Sequence, residues 1–161
     1  MSIALAALVF LSDIRAPWSV DWVWGCPLIV ITVIFHVLGL GFISSKAIQF
    51  HADLREPRRA TVGSALVVGA MTLLATCLHG IEAGIWAAAY CLNGALPDFK
   101  DAMLYSLGAL TTYGHRNLYL EDRWRLMGPI EALDGWLLFG LSTAFLFWLI
   151  QEVSPHNRNR H

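Results

Sequence analysis

The chain has 161 residues, of which 57% are hydrophobic and 14% charged, with a mean hydropathy of +0.55. That composition is too apolar for an ordinary soluble domain, and the length allows only a few membrane crossings, so an all-α integral membrane protein is predicted. A formal net charge of −1 excludes a polybasic nucleic-acid binder, and the few basic residues are read for topology.

The apolar run over residues 3–11 is too short to cross a hydrocarbon core of roughly 30 Å, which takes about 20 helical residues. No basic stretch precedes it, as a secretory signal would require. Residues 1–25 are therefore expected to form an interfacial segment, with Trp18, Trp22 and Trp24 at headgroup level. The first stretch long enough to span is 27–46, a peripheral helix followed by a basic loop that closes the segment 26–61. Lys46, Arg55, Arg58 and Arg59 put that loop in the cytoplasm, and Arg158 and Arg160 put the tail, residues 154–161, there as well. The amino terminus is then outside, in a multi-pass protein of the plasma or inner membrane.

The second span covers 62–92 and carries ionisable residues at depth, where they are functional candidates by default. His79 and Glu82 lie three apart and share a face. Two readings stand for them: bracing a neighbouring element, or a proton or metal role, for which His36 is the only obvious further ligand within an apolar span. On its own, His36 reads as a satisfied interhelical histidine. No metal site is assigned. Cys26, Cys77 and Cys91 lack metal-ligand spacing and read as small core residues, a Cys26–Cys91 disulfide being the alternative.

Residues 93–128 connect the second and third spans on the outer side. Pro97-Asp98 makes a helix start, and residues 99–110 carry apolar positions at three- and four-residue spacing. Such a helix is about 18 Å long, enough to dip into a membrane and not to cross it. The chain must turn back at residues 111–117, Thr-Thr-Tyr-Gly-His-Arg-Asn. Non-helical backbone at that depth is tolerated where it is buried in protein or faces water, which predicts a re-entrant pore helix and loop.

This segment resembles the pore signature Thr-Thr-Val-Gly-Tyr-Gly-Asp-Leu of the two-transmembrane potassium-channel pore-domain family, of which Thr111, Thr112, Gly114 and Leu118 are kept. Thr112, Tyr113, Gly114, His115 and Arg116 stand where Thr-Val-Gly-Tyr-Gly would, and Asn117 stands for the aspartate. The likeness covers about residues 62–152: Trp124 keeps the family's spacing from the filter, and Gly140-Leu-Ser-Thr-Ala-Phe145 looks like its glycine-containing hinge. The resemblance implies a homotetramer in lipid with a pore domain at 62–153, one loop per chain giving a quarter of a carbonyl-lined filter. It implies a monovalent cation, K+ or Na+, in that filter and no other cofactor.

Potassium selectivity is not carried over, because the second glycine and the aspartate are replaced. Arg116 is a bulky residue where a left-handed backbone favours glycine. It either lines the axis or pairs with a carboxylate. His115 is either packing or a proton-sensitive element, since imidazole titrates near neutral pH. Gly108 stands where some family members carry a filter-bracing carboxylate, so Glu82 or Glu131 is expected to substitute from an adjacent helix.

The third span covers 129–153. Glu131 and Asp134 in its first turns either cap the helix or act on the filter, Glu131 from behind and Asp134 by drawing cations or pairing with Arg116. Further along, Leu138, Ser142, Phe145 and Leu149 share a face: Ser142 is expected in a water-filled cavity, with Phe145 or Leu149 as a constriction. Packing of that stripe against the second span is the plainer reading. Gly135 and Gly140 offer bends. No catalytic triad, nucleotide-binding glycine loop or H-E-x-x-H motif occurs, so an enzyme is not expected. A conducting channel is the first reading, a channel-like protein that does not conduct or a proton- or metal-responsive protein the alternatives.

Overall fold

The computed structural model describes the backbone of residues 3–53, 60–114 and 117–153, and the side chains of 19–46, 62–114 and 117–153. The elements are α1 (Ile3–Asp53), α2 (Ala60–Leu92), α3 (Phe99–Leu110), a 3-10 turn (Asp122–Trp124) and α4 (Met127–Val153), with no strand among the described residues. Among the described residues, three helical segments are long and apolar enough to cross a membrane: Ser19–Lys46, Val62–Leu92 and Asp122–Val153. Their outward positions are those a lipid phase solvates, including Val30, Ile34 and Leu38 on α1, Leu66 and Leu73 on α2, and Trp136 and Phe147 on α4.

In place of a break near residue 25, α1 runs on through Pro17 and Pro27. A proline removes one helical hydrogen bond, whereas ending a helix in an apolar phase would orphan several backbone groups. At the end of α2 the amides of Ala95 and Leu96 both return to the Tyr90 carbonyl, turning the chain toward α3. Asp98 then caps α3, its carboxylate accepting from the Asp101 amide at 3.0 Å.

Two compact units make up the chain. Residues 1–32 and 83–136 form the first, around an aromatic core of Trp86, Tyr90, Tyr105 and Trp124 closed by Ala102, Met127 and Ile130. Residues 33–82 and 137–161 form the second, whose packing centres on Val67, Met71 and Leu149, with Leu40, Ala75 and Leu78 in a separate cluster. There the Ser64 hydroxyl donates to the Val153 carbonyl at 2.7 Å. The three cysteines are free, so the alternative Cys26–Cys91 disulfide does not form; Cys91 packs against the first unit's core, whereas Cys26 and Cys77 are exposed and take no core role.

Candidate functional site

In the first unit, α3 ends at Leu110 and the chain folds back on it. The Thr111 amide bonds Leu107 O at 3.1 Å, Thr112 N bonds Ala109 O at 2.9 Å, and Gly114 N bonds Gly108 O at 3.1 Å. The Thr111 hydroxyl also donates to Leu107 O, at 2.6 Å. Each of these amides belongs to a planar trans peptide whose carbonyl points the opposite way, so the carbonyls of Thr111 and Tyr113 are turned away from the end of α3. The turn requires left-handed backbone at Thr112 (φ 56°) and Gly114 (φ 80°). Gly114 meets that at no steric cost; Thr112, β-branched, does not.

The loop is exposed: Tyr113 is 90% accessible, and an open pocket of about 400 Å³ lies between the loop and the outer face of α3, lined by Leu104, Leu107, Thr111, Tyr113 and Asn117. His115 and Arg116 lie outside the described residues, so the two readings of each stand as the sequence leaves them.

Close contact with α4 fixes the end of α3. A Cβ on Gly135 would sit 2.0 Å from the Leu110 carbonyl oxygen, so only glycine lets the two backbones meet there. Tyr105, whose phenol burial pushes up to about 12 with the Glu131 charge adding to the effect, packs edge-on against Tyr90 at 5.3 Å.

Two buried carboxylates of α4 hold the first unit together. Glu131 accepts from the Tyr90 hydroxyl of α2 at 2.7 Å and from the Ser106 hydroxyl of α3. Ser106 also reaches the Ala83 carbonyl, 2.8 Å away. Asp134 accepts from Thr32 of α1 at 2.7 Å and from the Trp86 indole of α2 at 2.9 Å. Neither carboxylate caps α4, because both are spent on other helices and are fully buried. Glu131 is thus the carboxylate that meets α3, five residues before Thr111. Thr32, Trp86, Tyr90 and Ser106 went unread in the sequence; the one signal was the Trp86/Tyr90 spacing of four, matching the Glu131/Asp134 spacing of three.

In the second unit, Glu82 makes no such brace. Its Oε1 lies 2.7 Å from His36 Nδ1, and its Oε2 lies 3.2 Å from His79 Nδ1. Ser142 Oγ stands 3.1 Å from the Nε2 of each histidine. Phe139 stacks on His79 with the ring centres 4.5 Å apart. His36, read from the sequence as an interhelical histidine or as a further ligand beside His79 and Glu82, is part of this cluster.

Ser142 and Leu149 are buried, Leu149 completely, so they do not line an open cavity as expected; their stripe packs onto the helices of its own unit. Phe145 is half-buried against the same clusters, and Gly140 has open space around it.

Compared with known proteins, the chain matches no family model, no curated protein and no solved structure.

Proposed function

We propose that the chain is one subunit of a potassium-channel-like tetrameric pore, passing monovalent cations along the backbone of Thr111–Gly114 and the residues that follow. The observation that carries this reading is the loop itself. A helix too short to cross a membrane sits between two that are long enough, and it ends in a turn whose Thr111 and Tyr113 carbonyls point away from it. Carbonyls freed from helical bonding are what replaces a cation's hydration shell in a filter. The α3 stem is held as such a filter needs: capped by Asp98, seated on Gly135, and tied by Ser106 to Glu131.

The exposed apolar flank of α3 supports assembly. Leu104 and Leu107 border the pocket beside the loop, a surface that a neighbouring copy fills when loops gather round an axis. The tail and the loop between α1 and α2 then face the cytoplasm, as their arginines favour.

Ion flux in proteoliposomes of the purified protein, under separate potassium, sodium and chloride gradients, tests the reading, with Arg116→Gly run alongside. Cation flux in wild type is the expected result, rising in Arg116→Gly, which restores the filter's small residue. Silence in wild type with flux in Arg116→Gly means a pore closed at its filter. Silence in both, with the protein folded and tetrameric, removes conduction and leaves a non-conducting membrane role.

A further inference from the structure

The second unit contains a closed ring of four polar side chains from three helices, three of them buried and one partly exposed: Glu82 and the partly exposed His79 of α2, His36 of α1 and Ser142 of α4. The ring has four links, Glu82 to His36 (2.7 Å), His36 to Ser142 (3.1 Å), Ser142 to His79 (3.1 Å) and His79 to Glu82 (3.2 Å). Each link needs one hydrogen. Two neutral imidazoles and one hydroxyl bring three, and a carboxylate brings none. Three hydrogens cannot serve four links, and the longest link is that between His79 Nδ1 and Glu82 Oε2, two buried atoms 3.2 Å apart that make no hydrogen bond. A buried carboxylate flanked by two imidazole nitrogens, one hydrogen short, is a setting that a bound cation completes.

We propose that His36, His79 and Glu82 form a binding site for a divalent first-row transition metal, of which Zn2+ is the natural probe. The three offer ligand atoms that lie within 4.8 Å of one another. Ligands about 2.0–2.1 Å from a tetrahedral ion sit roughly 3.4 Å apart, so rotation of the side chains closes the set. Both Nδ1 atoms face the carboxylate, which makes them the metal-binding nitrogens. Each Nε2 then carries its ring's hydrogen, and both donate to the Ser142 oxygen, which has two lone pairs to receive them. That is the outer hydrogen bonding which fixes a ligand histidine's tautomer and ring orientation. The fourth coordination position is left to water or an anion. His79, 12% exposed at its side chain while His36 and Glu82 are sealed, gives the way in, with Phe139 stacked over it. Two imidazoles and one carboxylate suit Zn2+ over Ca2+ or Mg2+, which prefer oxygen cages. The site is independent of whether the pore conducts.

The test uses the full chain with His51, His115, His156 and His161 changed to Asn, so that His36 and His79 are its only histidines. After chelator treatment and dialysis against Zn2+, this protein is expected to hold one zinc per chain, not displaced by excess Ca2+ or Mg2+, and to unfold at a higher temperature when loaded. Ser142→Ala should weaken binding about 10- to 100-fold, as loss of an outer hydrogen-bond partner does. Glu82→Gln and His36→Asn should weaken it further. X-ray absorption of the zinc-loaded protein should show imidazole scattering from two histidines, a readout that stands even where a variant fails to fold. A folded protein that takes up no zinc overturns the proposal and leaves the ring to a proton. So does zinc bound without imidazole scattering, or equally well in folded Glu82→Gln.

Discussion

Thr112 holds a β-branched side chain at φ 56°, a conformation such residues seldom adopt, while Gly114 two positions on takes φ 80° freely. The cost at Thr112 is of order 1–3 kcal/mol, and such strain persists only where the surroundings enforce it. Thr112→Gly relieves it, and is expected to leave thermal stability in detergent equal or higher while abolishing selective cation flux. A loop that only connects two helices would show the first effect without the second. Glu131 gives the complementary case. Removing it as Glu131→Ala leaves the Tyr90 hydroxyl buried without its acceptor, at about 1–3 kcal/mol, and opens a cavity, whereas Ser106 keeps the Ala83 carbonyl to donate to. Tyr90→Phe removes one donor, at about 1 kcal/mol. Thermal unfolding of both variants should rank them in that order. The carboxylates were legible as buried charge in an apolar span, but their partners were not. Spacing along one helix says which residues share a face, and nothing says which face of another helix will meet it. His36 was legible as a candidate beside His79 and Glu82, but not its geometry: forty-six positions separate it from Glu82, and only packing of α1 on α2 brings their atoms to 2.7 Å.

Among the elements, α3 was the most legible, because its start rests on chemistry carried within four residues. Asp98 supplies a carboxylate to the Asp101 amide, and Pro97 bars the helix from extending backward. Its far end rests on something no local pattern reports, the absence of a side chain at Gly135. Gly135→Ala puts a methyl group 2.0 Å from the Leu110 carbonyl, and backbone rather than a flexible side chain must then move. The expected loss is about 1–3 kcal/mol of stability from overpacking. Any conducting loop should lose flux as well, since the end of α3 sets where the loop begins. Gly140→Ala, with open space at its Cβ, should unfold within about 0.5 kcal/mol of wild type. At α1 the sequence set residues 1–25 apart as an interfacial segment, and one helix runs unbroken from Ile3 to Asp53, through Pro17 and Pro27. In an apolar phase the backbone's need for internal hydrogen bonds outweighs a local breaker.

For the whole molecule, the hydrophobic runs announced three helices able to span a membrane, because about 20 apolar residues in sequence admit few other structures. What the runs leave open is which outward face meets lipid and which meets another copy, since both are apolar and the hydrophobic effect does not distinguish them in a bilayer. Leu104 of α3 and Leu73 of α2 are comparably exposed, at 60% and 65%. They differ in surroundings: Leu104 borders the open pocket beside the loop, among residues that a lone chain leaves uncovered. If four loops gather round one axis, Leu104→Asn introduces an amide into a tight protein contact, whereas Leu73→Asn introduces it into lipid or detergent, where it can reach water by rearrangement. Native mass spectrometry from mild detergent should therefore show four copies for wild type and Leu73→Asn, and smaller species for Leu104→Asn, with each variant still helical by circular dichroism. Equal assembly in both variants would place the contact between copies elsewhere on the surface, and a monomeric wild type would remove the axis on which a filter depends.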